Sequence, residues 1–273
     1  MAEKQQKLSL RKVREYVQSK KSSLLDEISV LSYVTKPRRD QHEIDPRVVT
    51  ATDVQSHIAE QYRSIRTNIS SLSPEKPVRS FLITSSLRGE GKTISACNLA
   101  TAFSQEVDKK TILVDADMRK SNIHRVFGLK KEPGLSELLT GKADLDDFIK
   151  KPVVENLYII SGGKAPANPV ELLGSKRMKQ MHERLREEFD WVIFDIAPIL
   201  AVTDAGVLGS ILDGSIMVVK AGKTQAVDVE RAYSLLLEAN AQPIGSILTG
   251  VITYIPYYLY RYRYMYSHHY YGT

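Results

Sequence analysis

The chain has 273 residues, 42% of them hydrophobic, which is enough for one large α/β domain or two small ones with a sizeable core. A formal net charge of +6 suits nucleic acid, an acidic membrane surface or phosphorylated ligands, and the single cysteine, Cys97, excludes an intramolecular disulfide or a cysteine metal cluster. The opening MAEKQQKLSLRKVREYV lacks the apolar core of a signal peptide, and no apolar run reaches the roughly 18 residues that span a bilayer, so the expectation is a cytosolic protein.

Residues 1–49 read as a basic N-terminal extension and linker. Lys4, Lys7, Arg11, Lys12, Arg14, Lys20, Lys21, Lys36, Arg38 and Arg39 make a solvated arm or a contact for a membrane or partner. TKPRRDQHEIDPRVV, with two prolines and many charges, reads as the linker. In HIAEQYRSIRTNI, residues Ile58, Tyr62, Ile65, Ile69 and Leu72 recur at helical spacing as one apolar stripe, which puts Glu60, Arg63 and Arg66 on a different, exposed face. From residue 80 short apolar runs alternate with helical patterns: SFLITSS, KTISACNLATAFSQE, TILVDAD, LYIISGG, PVELLGSKRMKQMHERLREEF, WVIFDIAP, GSIMVVKAG, VDVERAYSLLLEAN and IGSILTGVIT. Near-continuous Ile/Val/Leu strands between helices predict a parallel sheet covered on both faces. Cys97 sits in an apolar pattern and reads as a small core residue. The domain is expected over 50–252, with a tyrosine-rich tail over 253–273.

Directly after the first strand comes SSLRGEGKT, and a helix begins there. A glycine-rich turn from strand to helix aims backbone N–H groups and the positive end of the helix dipole at one point, which suits phosphate. Gly89 and Gly91 permit close backbone approach, Lys92 reaches toward β and γ phosphates, and the Thr93 hydroxyl suits Mg²⁺. The strict pattern G-x-x-x-x-G-K-[ST] fails at one position, where Ser86 replaces glycine. The expected nucleotide-binding set is Ser86, Arg88, Gly89, Glu90, Gly91, Lys92, Thr93 and Ile94. The run ILVDADMR then places Asp115, Asp117 and Arg119 at the carboxyl edge of the sheet, where ligands of parallel α/β sheets collect. Asp115 and Asp117 point the same way, able to share a metal, orient a nucleophile or cap the next turn. WVIFDIAP adds Asp195, in the usual form of a Mg²⁺-side carboxylate.

The final twenty residues hold nine of the fourteen tyrosines: Tyr254, Tyr257, Tyr258, Tyr260, Tyr262, Tyr264, Tyr266, Tyr270 and Tyr271. Tyrosine on every even position from 258 to 266 is a strand pattern, and a membrane-surface anchor, a metal site at His268 and His269, or a substrate segment are the other readings.

GEGKT, ILVDADMR and VIFDIAP together resemble the Walker A, A′ and B set of the bacterial tyrosine kinases (BY-kinases) of the CpsD/CapB type, over roughly residues 50–273. Glu60, Arg63 and Arg66 match that family's E-x-x-R-x-x-R oligomerisation motif, and PGLSELLTG and LAVTDA also fit. The resemblance implies an α/β P-loop NTPase fold of the MinD/ParA-like class, with a mostly parallel sheet, helices on both faces, a helical N-terminal extension and a flexible tyrosine tail. It implies a protein-tyrosine autokinase of capsule or exopolysaccharide synthesis that uses ATP and Mg²⁺, its tail being its own substrate in a ring-shaped homo-oligomer. Thr93, Asp115 and Asp195 would serve the metal, Asp117 would accept the tyrosine proton, and Arg119 would neutralise charge or fix the aspartates. Implied partners are a membrane-embedded activator of the polysaccharide co-polymerase type, which recruits the cytoplasmic kinase to the inner face of the plasma membrane, and a cognate tyrosine phosphatase; no nucleic acid is expected. The chain departs from the family at Arg88, Ala197 and Thr249, the last at a position expected to face the base. Two rivals stand beside this reading: a ParA- or MinD-like positioning ATPase, although Leu87 stands where its signature lysine would, and a nucleotide-binding scaffold without phosphotransfer.

Overall fold

The computed structural model describes residues 43–72, 77–141 and 143–251. The basic arm and the tyrosine cluster from Tyr254 to Tyr271 lie outside the described residues. In chain order the elements are α1 (Val49–Thr52), α2 (His57–Ser70), β1 (Ser80–Ser85), α3 (Lys92–Ser104), β2 (Thr111–Asp115), α4 (Ile123–Val126), α5 (Leu135–Thr140) and β3 (Leu157–Ile160). There follow α6 (Pro169–Leu173), α7 (Lys176–Glu188), β4 (Trp191–Asp195), α8 (Asp204–Gly209), β5 (Gly214–Lys220), α9 (Ala226–Glu238) and β6 (Pro243–Thr249). Among the described residues no helix is long and apolar enough to cross a membrane.

The strands pair in the order β3-β2-β4-β1-β5-β6, every neighbour parallel. Side chains alternate across a strand, so a run apolar at every position must be covered on both sides. Phe81, Ile83, Leu113 and Ile193 face α2, α3 and α4, joining Ile69, Leu99, Phe103 and Ile123 in one core. Leu82, Ile112, Val114 and Phe194 face the opposite side, against Leu138, Leu173, Met178, Leu185, Leu208 and Leu236 of α5 to α9. Cys97 is fully buried in the first of these cores.

Three local readings change. The pattern over 169–188 reads as one helix, yet it is two, because Gly174 closes α6 through its N–H to the Val170 carbonyl (3.0 Å) and Ser175 caps α7 by accepting from Met178 N (3.1 Å). The last part of the expected linker is built into the domain. Val48 is fully buried, Asp45 N donates to the Val126 carbonyl at 2.7 Å, and the Asn98 amide donates to the Arg47 carbonyl at 2.9 Å. The apolar stripe of α2 is also narrower than its spacing suggests, since Ile58 is 54% exposed and contact with the core is made by Ala59, Tyr62, Ile65 and Ile69.

Candidate active site

β1 ends in the sheet's interior, between β4 and β5, so the loop after it opens at the middle of the carboxyl edge. Gly89 and Gly91 take φ of +81° and +99°, left-handed values that side chains with a Cβ rarely adopt, and Gly91 leads directly into α3. Lys92 is therefore the first residue of a helix whose unpaired N–H groups face the loop mouth.

Parallel register sets Asp115 of β2 directly beside Asp195 of β4. Lys92 Nζ donates to Asp117 Oδ2 at 3.0 Å and to Asp195 Oδ1 at 3.2 Å, and Thr93 Oγ1 donates to Asp195 Oδ2 at 2.7 Å. Thus Lys92, Thr93, Asp117 and Asp195, four of the residues singled out in sequence, form one hydrogen-bonded cluster. Asp115 completes it from behind. Its Oδ2 accepts from Ser121 Oγ (2.8 Å), Asn122 N (2.9 Å) and Ile123 N (3.0 Å), whereas its buried Oδ1 has no hydrogen-bond partner among the described residues. Asp115 therefore also tethers the start of α4, the capping role that the sequence left open.

The electrostatics follow from three carboxylates sharing one ammonium. Burial raises the Asp115 carboxyl to about 7, and the neighbouring Asp195 charge adds to the effect against the opposing hydrogen bonds. Burial also raises Asp195, although Lys92 and Thr93 pull the other way. For Lys92, burial alone would lower the ammonium, but Asp195 and Asp117 outweigh it and the net shift is upward.

Arg119 is elsewhere. Its guanidinium makes a two-pronged pair with Asp204 at the start of α8, at 3.0 and 3.2 Å, and is held strongly protonated by it. Among the described residues it donates no hydrogen bond to Asp115 or Asp117, although Asp117 adds through space to its upward shift, so the direct ion pairs of Asp117 and Asp195 are those with Lys92. Asp204 and Ser121 are the polar partners that sequence reasoning missed; a carboxylate at a helix start, in the run LAVTDA, was the available signal.

Of the remaining predicted nucleotide residues, Ser86 is buried with its hydroxyl on Met217 Sδ (3.7 Å), Arg88 is exposed, and Ile94 is partly buried against the core behind the loop. Glu90 is 1% exposed. Thr249 faces the loop's backbone rather than open space, because its hydroxyl donates to the Glu90 carbonyl at 2.7 Å. The α2 motif divides. Glu60 and Arg63 pair on the surface at 2.8 Å, but Arg66, expected on the same exposed face, folds onto α3, donating to the Ala102 carbonyl at 2.8 Å beside Glu106 at 3.4 Å. A helix rotates 100° per residue, so the third member of an i, i+3, i+6 set drifts toward the packed side.

The donors fit a phosphate chain and a small hard cation. A positive-φ glycine turn opens onto a helix N-terminus, and beside it lie a hydroxyl and two adjacent carboxylates, one with a free buried oxygen. Among the described residues no three His, Cys, Asp or Glu side chains converge as a ready-made cage, and Mg²⁺ favours few carboxylates with phosphate and water oxygens instead.

This combination defines a nucleotide-binding P-loop protein, and the family described as AAA domain matches residues 81–227. Tyrosine-protein kinase YwqD of Bacillus subtilis (strain 168) is 39% identical over 203 residues, 74% of this chain and 85% of YwqD. Tyrosine-protein kinase etk of Escherichia coli (strain K12) is 35% identical over 71% of this chain, which is 26% of that longer protein. The solved kinase domain of Escherichia coli ETK superposes with a TM-score of 0.74 at 32% identity, covering 80% of this chain and 85% of that one. The MinD septum-site protein of Pyrococcus horikoshii, solved with Mg-ADP, gives 0.54 at 25% identity over 62% of this chain and 69% of its own. The chain belongs to the bacterial tyrosine-protein kinases.

Proposed function

We propose that the chain is an ATP-dependent autokinase that phosphorylates its own tyrosine cluster, Tyr254 to Tyr271, in trans within a ring of copies, and so regulates capsule or exopolysaccharide synthesis. The observation that carries this reading is Lys92 Nζ held between Asp117 and Asp195 at the mouth of the glycine loop. ATP would lie with its phosphates on the loop amides, and Thr93, Asp115 and Asp195 would hold Mg²⁺, whose chemistry is to neutralise charge on phosphate oxygens. Lys92 leaves the aspartates to bind phosphate oxygens, and this frees Asp117 Oδ2 to accept the proton of the acceptor tyrosine. Asp117 suits that role better than Asp115. Its Oδ1 is fixed by Lys120 N at 3.0 Å and its Oδ2 accepts from Lys92 alone among the described residues, whereas Asp115 has Oδ2 taken by three donors and its buried Oδ1 is left for the metal. Arg119, 37% exposed and braced by Asp204, supplies positive charge at the rim.

Twenty extended residues reach on the order of 60 Å, enough for a tail to enter a neighbour's site. Each phosphate adds about 1.5 to 2 negative charges, which repel the acidic site and disperse the ring. Glu60 and Arg63 contribute the contact between copies, a membrane-embedded co-polymerase-type partner activates the kinase at the inner membrane face, and a cognate phosphatase resets the tail. Incubation with Mg-ATP followed by mass spectrometry of the C-terminal peptide tests the core of this proposal. Phosphotyrosine is expected in the wild type and is absent in Lys92→Met; an unmodified wild-type tail, with or without a purified activator fragment, overturns it.

A further inference from the structure

We propose that Glu90 and Thr224 are positioning residues that shape the phosphate loop before nucleotide arrives. The inference rests on the nucleotide-binding reading above and adds a residue, Thr224, that lies outside every motif of the sequence.

A carboxylate inside an anion-binding loop raises a physical problem, because its charge opposes the phosphate the loop is meant to hold. Glu90 stands between the two glycines of GEGKT and is almost wholly buried. Burying an ionised group is costly unless its oxygens are satisfied, and here both are. Oε2 accepts from Leu87 N at 2.9 Å, and Oε1 accepts from the Thr224 hydroxyl. That hydroxyl itself accepts from Lys220 N at 3.2 Å, which leaves its only proton for Glu90. Glu90 is therefore turned away from the mouth and used as a tie: it links the loop's own entry at Leu87 to the turn that follows β5.

Two further contacts grip the same loop from the same side. Thr249 Oγ1 donates to the Glu90 carbonyl at 2.7 Å, and Lys223 Nζ lies 3.5 Å from the Arg88 carbonyl. The positive-φ turn at Gly89 and Gly91 is thereby held on one side by residues 223, 224 and 249. A loop fixed in its binding shape loses less conformational freedom when it binds, so affinity should depend on these ties although none of them touches phosphate.

The test is calorimetric titration of the full chain with Mg-ADP. Thr224→Val keeps the volume and removes the donor, and it should weaken ADP about tenfold, the usual effect of losing one hydrogen bond to a charged group. Thr224→Ser should restore binding to within about twofold of wild type. Glu90→Ala, which also cuts the tie to Leu87 N, should weaken ADP at least as much as Thr224→Val, and the double variant should be no weaker than Glu90→Ala alone, because Thr224 reaches the loop only through Glu90. In nucleotide-free protein, amide exchange at Leu87–Gly91 should speed up in Thr224→Val and not in Thr224→Ser. Wild type that binds ADP while Thr224→Val binds equally well, or additive losses in the double variant, overturn this inference alone; wild type that fails to bind overturns it together with the nucleotide reading.

Discussion

The two edges of the sheet both carry partly buried charge, and they treat it in opposite ways. At the amino edge Asp213 accepts from Arg79 N (3.0 Å), Ser80 N (2.8 Å) and Arg186 Nη1 (2.6 Å); burial pushes its carboxyl up, the bonds from Arg186, Arg79 and Ser80 together with the Arg186 charge outweigh that, and the net shift is downward. At the carboxyl edge Asp115, Asp117 and Asp195 share Lys92, and both Asp115 and Asp195 are pushed up. One edge is a closed account of donors and acceptors that stitches β1 to the turn before β5. The other gathers more negative charge than the described residues around it neutralise, which separates it from a structural ion pair.

The contrast is sharpest at Lys92 and Asp195. Asp195→Asn should lower tail phosphorylation about a thousandfold or more, since it removes charge from both Thr93 and Lys92, as measured by phosphotyrosine formed under single-turnover conditions. Asp115→Asn should do something a structural carboxylate would not: it removes repulsion against Asp195 and should raise the nucleotide-free melting temperature by roughly 2 to 4 °C while activity falls. A drop in melting temperature would place Asp115 with the structural carboxylates and break the comparison from that side.

At the amino edge the expected signs reverse. Asp213→Ala leaves Arg79 N, Ser80 N and Arg186 without their acceptor and should cost about 2 to 3 kcal/mol in urea unfolding, with Mg-ADP affinity changed by less than about twofold. A cost near zero would mean the amino edge is not the stitched end described above.

Much of this was legible in the sequence for a physical reason. Unbroken apolar runs such as WVIFD can only be doubly covered strands, and a GEGKT turn between strand and helix specifies its own backbone, so the sheet and four of the clustered side chains could be placed in advance. What was not legible depends on tertiary meeting points. Thr224 and Asp204 lie 134 and 85 residues from their partners, Glu90 and Arg119, and no local periodicity encodes such a distance. Arg66 was misplaced for a different reason, because helical spacing gives the face but not how wide a strip α3 covers.

A smaller effect probes how complete the amino-edge compensation is. His182 of α7 is buried against Phe194, with Nε2 unpartnered among the described residues, and burial followed by the Arg186 charge lowers its imidazole from 6.5 to about 4, against a smaller pull from Asp213. The folded state resists the proton that the unfolded chain accepts, so the contribution to stability is whole above pH 6.5 and is lost as pH falls toward about 4. His124 shifts in the same direction, so the reading is a difference between proteins. The melting temperature of His182→Leu should fall less than that of wild type between those pH values, and parallel curves would show that His182 is not the group that titrates.

The smallest expected effect on folding belongs to a pair at neither edge. Glu60 and Arg63 meet on the surface of α2, where an i, i+3 pair contributes a few tenths of a kcal/mol, so Glu60→Ala should leave the melting temperature within about 1 °C of wild type. Arg66→Ala cannot serve as the same control, because it also removes the donor to the Ala102 carbonyl and one of the partners of Glu106, which keeps the bond from Trp191 Nε1. A charge that does so little for its own fold is the cleanest probe of a contact between copies. Light scattering of dephosphorylated Glu60→Ala should report a smaller particle than wild type at equal stability, and an unchanged mass would remove Glu60 from the ring contact without touching the chemistry at the carboxyl edge.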